Sequence, residues 1–334
     1  MSQGSQNRAS RPAELQRLYA PIRQELDQVE GILRDELHSN YPFVDRLVKH
    51  GFRLGGKRLR PALLLLSGKA CGALAPEHPR LAAAVEMIHT ATLIHDDVLD
   101  EATLRRHLET VNARWDNEAS ILLGDYLFTR SICIASSVDG TFACRTIGEA
   151  TKTMCEGELR QVQNRGNYDL SEEDYLGIIA NKTAALYACC CRLGAHYAGA
   201  SAERREVFGR FGRQLGIAFQ IVDDVLDVLG DEATAGKSLG TDLVKQKSTL
   251  PLIRLLNQVG AQERAELVAI LARPGNHHRE ALRPWLEGSD AISYAQQKAA
   301  SYIERAIEEL QKVPEGPARD VLRQLAQFVI TRQQ

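Results

Sequence analysis

The chain has 334 residues, 44% of them hydrophobic, with 41 Lys plus Arg against 43 Asp plus Glu and a formal net charge of -2. That is ample material for a buried core, and the balanced charge argues against nucleic-acid binding, which needs a basic face. Seven cysteines with no CxxC pair argue against a disulfide framework and read as reduced thiols in a cytoplasmic protein.

In chain order, residues 1–12 are polar and lack the apolar stretch of a signal peptide. They are expected to be disordered, with residues 13–334 forming one domain. Gly51 to Arg58 approaches the phosphate-binding pattern GxxxxGK[ST] but fails it twice: Arg58 stands at the Ser/Thr position, and no strand precedes. The run continues as GGKRLRP, Gly55 to Pro61, where Lys57 and Arg60 are three apart and reach one side of a turn or helix start. Placed at a helix N-terminus they form a compact anion site. The apolar run Ala62 to Leu66 is far shorter than the roughly 20 residues a bilayer requires. At most, peripheral membrane contact is expected. Leu81, Val85, Ile88 and Thr92 recur at helical spacing, as do Phe208, Phe211, Leu215 and Phe219. Ser171 to Asp174 resembles a capping box at a helix start. Period-2 alternation is almost absent, and Gly/Pro-rich breaks divide the chain into ten or more helical segments. The fold class expected is all-α, a single large helical bundle. Cys189, Cys190 and Cys191 point about 100° apart on a helix and cannot chelate one metal.

The chemistry sits in a pentapeptide, DDVLD, that occurs twice, at Asp96 to Asp100 and at Asp223 to Asp227. Each copy ends an apolar helical approach, Ile88 to His95 and Ile217 to Val222. Carboxylates in such surroundings need a compensating cation. Asp96 and Asp100 are four apart, so they project from one helix face with Cβ atoms roughly 5–6 Å apart. Asp223 and Asp227 are expected to repeat that geometry. Oxygen-only ligands imply a hard ion, and magnesium fits because it binds through one or two carboxylates plus substrate phosphates. If the two copies face each other, six carboxylates converge, and each like-charge pair at 5 Å costs about 3 kcal/mol at an effective dielectric near 20. Divalent ions and an anionic ligand remove that cost, so the site is expected to assemble with its substrate. Each acidic cluster has a basic one downstream: Arg105 and Arg106 after the first, and Lys237, Lys245 and Lys247 after the second. Arginine binds phosphate oxygens bidentately, so the combination suits a diphosphate. The bland reading, two acidic helix ends facing water, does not account for two identical copies in apolar helices.

GGKRLRP, HTATLIHDDVLD, the Arg105-Arg106 pair, Asn181-Lys-Thr183, FQIVDDVLD and GKSLGTDLVKQKSTLP resemble, in order and spacing, the trans-isoprenyl diphosphate synthases, and among them the long-chain polyprenyl (octaprenyl-type) synthases. The resemblance runs from about Gly55 to Pro251. It implies an all-α bundle around a central cavity, a homodimer, and about three Mg2+ ions bound with diphosphate. By the same resemblance Asp96 and Asp100 bind two ions with Asp97 in support, and Asp223 helps to bind a third, with Asp224 and Asp227 around it. Lys57, Arg60, His89 and Arg106 hold isopentenyl diphosphate. Arg105, Lys182, Lys237 and Lys247 hold the allylic diphosphate, and Thr183 and Gln220 line the reacting carbons. The implied reaction is ionisation of the allylic diphosphate (a farnesyl or geranylgeranyl primer), condensation and proton loss, with the released diphosphate as base. His89 is expected to donate to a phosphate and His95 to support the adjacent aspartates. Ala91 and Thr92, small residues just before Asp96, leave room for a growing chain. Ile88, Met87, Ala84 and Leu81 lie further down, with a floor expected from another helix near Met154. One departure is visible: the family's Arg-Arg-Gly reads Arg105-Arg106-His107 here, which puts that loop's backbone in question, since Gly alone takes positive φ at no cost. A terpene cyclase would have no use for GGKRLRP. A di-iron bundle needs two ExxH motifs, and only Glu86 to His89 provides one. A short-chain synthase and a non-catalytic subunit are the remaining alternatives, although no aspartate is missing.

Overall fold

The structure, a computed structural model, describes residues 14–53, 56–138, 140–230, 239–273, 275 and 277–331. The N-terminal stretch expected to be disordered lies outside these residues, as do Gly55 of the basic motif and Lys237. Among the described residues the regular structure is almost wholly helical: α1 (Arg23–Glu36), α2 (Pro42–Arg53), α3 (Leu59–Cys71), α4 (Glu77–Leu99), α5 (Asn117–Ser136), α6 (Phe142–Gln163) and α7 (Glu172–Ile179). A π turn, Ala180–Ala184, joins α7 to α8 (Ala185–Tyr197). The chain continues through α9 (Ala202–Leu229), α10 (Leu250–Gln258), α11 (Ala261–Leu271), α12 (His278–Glu287), α13 (Ala291–Gln311) and α14 (Pro317–Thr331). One antiparallel hairpin, β1 (Leu104–Arg105) with β2 (Leu108–Glu109), interrupts the bundle. Two residues per strand are too few for alternation to register in the sequence.

Local chemistry sets several boundaries. The Ser171 hydroxyl accepts from the Asp174 amide and starts α7, as the capping pattern predicted. Ser201 does the same for α9, and Asp116 for α5. The sequence marked one apolar face on α4, but from Leu81 to Ile88 the helix is buried on every side. It is a central helix of the bundle. α8 packs against α3, α4, α6 and α9, so it stands between the two helices that carry the aspartates. These helices approach closely because glycines face backbone. A β-carbon on Gly194 of α8 overlaps the Leu64 carbonyl of α3, and one on Gly212 of α9 overlaps the Tyr187 carbonyl of α8. Cys189, Cys190 and Cys191 are buried and unpaired, and burial pushes the Cys189 and Cys191 thiols up to about 12, which leaves them inert near neutral pH. A second apolar cluster, around α10 to α12, meets the main core at Leu229 and Ile292. No described helix is long and apolar enough to cross a membrane.

The Gly194 contact yields a test of this packing. Gly194→Ala is expected to lower stability by about 1–3 kcal/mol through overpacking, read as a lower urea midpoint at unchanged slope.

Candidate active site

Over its last three turns α4 is no longer buried on every side. His89, Thr92, Asp96 and Asp100 are half-buried along this stretch, whereas Asp97 is 1% exposed. Each aspartate meets a cation from a different element. Arg105 of β1 grips Asp97 through Nε at 2.9 Å and Nη2 at 2.7 Å. Lys182 of the π turn lies 3.9 Å from Asp96, pairs with Glu158 of α6 and donates to Gln161 Oε1 at 2.8 Å. Lys247, 8% exposed, reaches Asp100 at 3.1 Å and Asp242 at 3.2 Å, and Arg165 stands 3.8 Å from Asp100. Burial works against the Lys247 charge, but Asp242 and Asp100 outweigh it and raise its pKa above the ordinary lysine range. Burial likewise opposes Lys182, and Asp96 and Glu158 hold it raised. Burial pushes the Asp97 carboxyl up, against the pull of Arg105.

The second DDVLD also lies within one helix, so Asp223 and Asp227 share a face of α9, but its aspartates meet different partners. Asp227 is 2% exposed and accepts from the Asp242 amide at 3.1 Å and the Thr241 hydroxyl at 3.3 Å, so it anchors the one-turn helix Thr241–Val244. Asp224 is also buried, and accepts from the Tyr175 hydroxyl at 2.6 Å and Gln220 Nε2 at 2.8 Å. Burial, reinforced by the Asp242 charge, pushes its carboxyl well up. Only Asp223 remains half-buried, within electrostatic reach of Arg105. Asp97, Asp224 and Asp227 are thus buried on protein partners, whereas Asp96, Asp100 and Asp223 stay half-buried. Asp224 instead organises a polar chain. Gln220, oriented by Asp224, accepts from the Thr183 hydroxyl at 2.7 Å. Thr183 and Lys182 both ride on the π turn, which packs so tightly on α6 that a β-carbon at Gly157 meets the Lys182 amide. Gln161, Lys182, Gln220, Asp224, Asp242 and Lys247 line a cleft beside this turn.

The basic motif forms a neighbouring region of opposite character. Lys57 precedes α3 and is exposed, and Arg60 lies in its first turn with its guanidinium 4.7 Å over the Tyr187 ring. Burial, followed by the charges of Arg60, Arg106, Arg105 and Arg58, pushes the His89 ring well below its usual pKa, so it is neutral. Gly56 makes room for Arg106, because a β-carbon there would lie 2.6 Å from its guanidinium. His95 does not support the aspartates. Its Nε2 donates to the Ile121 carbonyl at 3.0 Å, towards α5, where Gly124 leaves space for the ring. Lys245 pairs with Glu101 at 2.8 Å. Thr92 lies one turn below Asp96, while Ala91 and Ile88 are buried in the core. Sequence reasoning missed Glu158, Gln161 and Tyr175, which lie in no repeated or recognisable string, and Asp242, which lies within GKSLGTDLVKQKSTLP but was given no role.

The turn between β1 and β2 holds its shape without glycine. Arg106 and His107 occupy φ of 52° and 64°, the positive pair that a tight two-residue hairpin turn requires. Hydrogen bonds around the hairpin hold it. Thr110 Oγ1 donates to the Ala102 carbonyl at 2.7 Å, and His50 Nε2 donates to the Glu109 carbonyl at 2.7 Å. The departure at His107 thus stores strain rather than changing the turn. His107→Gly is expected to raise the melting temperature, by relief of up to about 1 kcal/mol, with substrate KM values unchanged.

A polyprenyl synthetase family model matches residues 41–286. The chain is 36% identical over 318 residues to an all-trans-nonaprenyl-diphosphate synthase (geranyl-diphosphate specific) of Rhodobacter capsulatus, covering 95% of this chain and 98% of that protein. It is 34% identical over 321 residues to octaprenyl diphosphate synthase of Escherichia coli, covering 95% and 99%. A crystal structure of a Caulobacter crescentus polyprenyl synthase complexed with calcium and isoprenyl diphosphate matches with a TM-score of 0.91 at 33% identity, covering 96% of this chain and 98% of that one. A cleft rimmed by aspartates and cations, on a helical bundle of this shape, places the chain in the polyprenyl synthetase family of prenyltransferases.

Proposed function

We propose that this prenyltransferase condenses isopentenyl diphosphate with an allylic diphosphate, a farnesyl or geranylgeranyl primer, and repeats the step to give a long-chain all-trans polyprenyl diphosphate. The observation that carries this reading is the pairing of two unlike anion sites. One presents half-buried carboxylates, Asp96, Asp100 and Asp223, among cations; the other is basic, with a neutral His89 among arginines. Carboxylates repel a bare diphosphate, so the first site needs bridging cations, whereas the second binds diphosphate directly.

The donor set fits magnesium. Among the described residues no three His, Cys, Asp or Glu side chains are placed to hold an ion by themselves. Ions at Asp96, Asp100 and Asp223 therefore need additional oxygens from water or phosphate, the coordination magnesium prefers. About three ions are proposed, and when bound they neutralise the charge developing on the leaving diphosphate. Lys182, Arg105 and Lys247 rim the same face and donate to that diphosphate. Lys57, Arg60, Arg106 and the neutral His89 fix isopentenyl diphosphate beside it. The chain Thr183–Gln220–Asp224–Tyr175 sets the polar edge facing the reacting carbons, and close helix packing excludes water that would quench an allylic cation. The departing diphosphate takes the proton.

Long-chain product is supported by the small Ala91 and Thr92 next to Asp96 and by the long-chain relatives. Residues 13–334 are proposed to form one domain, since Leu229 and Ile292 pack against both apolar clusters. A homodimer is supported by exposed Ile121, Leu122 and Phe128 on α5. Seven free cysteines support a cytoplasmic location, with at most surface contact with membrane.

Purified protein with magnesium, farnesyl diphosphate and labelled isopentenyl diphosphate is expected to yield a ladder of prenyl alcohols ending at one long species. Thr92→Phe should end it earlier, and chelation of divalent ions should stop it. Farnesyl diphosphate left unextended while shorter primers are consumed would instead mean a short-chain synthase. The two DDVLD strings also separate by mutation. Asp223→Asn is expected to cut turnover by about 10²-fold or more at unchanged stability. Asp227→Asn is expected to cost about 1–3 kcal/mol in urea unfolding, because it loosens the turn at Thr241.

A further inference from the structure

The basic site contains one arginine with no phosphate left to bind. Arg58 commits Nε to Glu30 Oε1 at 2.6 Å, Nη2 to Glu30 Oε2 at 3.4 Å and Nη1 to Glu86 Oε1 at 2.8 Å. Glu86 is 2% exposed and lies three residues before His89 on α4. Arg58 is the residue immediately before α3, at a φ of 50°, a conformation that a side-chain-bearing residue keeps only when its surroundings impose it. Its neighbours are pinned too. The Tyr19 hydroxyl donates to the Lys57 carbonyl at 2.9 Å, and Arg60 lies over Tyr187. Four separate parts of the chain, the segment before α1, α1 itself, α4 and α8, thus fix three of four consecutive motif residues, Lys57 to Arg60.

Charge gives this arrangement its purpose. Arg58, Arg60, Arg105 and Arg106 all act on the His89 ring. Guanidiniums so gathered repel each other, and Glu86 is a buried carboxylate whose field reaches Arg58, Arg60 and Arg106. Burial raises the Glu86 carboxyl above its usual range, and the charges of Arg58 and Arg60 oppose that rise. Glu86 lies behind Arg58 and does not itself present a group to an anion.

We propose that Glu86 and Arg58 are a buried positioning pair that holds Lys57, Arg60 and Arg106 converged, so that Glu86 sets the affinity for isopentenyl diphosphate without touching it. This rests on the assignment of Lys57, Arg60, His89 and Arg106 to that substrate. The opposite effect, in which a nearby carboxylate weakens anion binding, is outweighed because Glu86 is already paired and its removal takes away one of the two carboxylates that fix Arg58, leaving only Glu30.

The test is a comparison of the Glu86→Gln, Glu86→Asp and Arg58→Gln variants with the wild-type protein. Isopentenyl diphosphate binding is measured by calorimetry, KM is determined for each substrate, and thermal unfolding is recorded. Glu86→Gln and Arg58→Gln are expected to raise Kd and KM for isopentenyl diphosphate tenfold or more, with the allylic KM changed less than threefold. Glu86→Asp should recover most of the affinity, and the double variant Glu86→Gln/Arg58→Gln should be no worse than either single one. Equal losses for both substrates in step with a lower melting temperature would mean a merely structural pair and overturn the proposal. So would unchanged isopentenyl diphosphate affinity in Arg58→Gln, a change nearer the surface that is read even if Glu86→Gln fails to fold. Wild-type protein that binds no isopentenyl diphosphate would overturn the site assignment itself, and the proposal with it.

Discussion

Charge compensation between elements far apart in the chain is the constraint on which this structure depends. A helix ending in three aspartates is unstable against its own repulsion unless cations meet it. Here they come from a hairpin (Arg105), a π turn (Lys182) and the segment after the second acidic string (Lys247). These contacts fix where the hairpin, the π turn and the Thr241 helix lie against α4. The same contacts leave Asp96 and Asp100 half-buried and Asp97 buried, so one helix end carries both partly accessible carboxylates and a buried anchor.

Rigid local devices keep those charges in place. The π turn is the type of helix irregularity that recurs at functional sites, and it presents Lys182 and Thr183 together. It lies against α6 at Gly157, where no side chain fits. Across the cleft, a tight turn with two positive-φ residues carries Arg106, and Gly56 admits that side chain. The donors Arg105, Lys182 and Lys247 are therefore oriented by the fold, on carboxylates of the same chain.

The identical DDVLD strings show how far a sequence can be read. Spacing correctly placed Asp96 and Asp100 on one face, because the period of an α-helix is fixed by the backbone. The same spacing puts Asp223 and Asp227 on one face of α9, but the chain brings different partners to the two strings. After Asp227 it turns back, and the amide of Asp242 and the hydroxyl of Thr241 occupy that carboxylate. After Asp100 it goes on to the hairpin, and the carboxylate faces Lys247. His95 failed for a similar reason: adjacency to Asp96 in sequence is not adjacency in space, and its ring turns towards α5. Glu158, Gln161 and Tyr175 were illegible because each acts through a partner distant in the chain.

By itself the sequence determined the all-α class, the absence of an apolar stretch long enough to span a bilayer, and where the short basic motif and the two acidic strings lie along the helices. These arise from composition and helical period, which are local. Only the tertiary structure decided which aspartates stay half-buried and which are tied down, that His89 is neutral among arginines, and that Arg58 is held by Glu30 and Glu86 rather than offered to a phosphate. Those outcomes depend on desolvation and on charges brought together across dozens of residues, and both arise only when the helices pack.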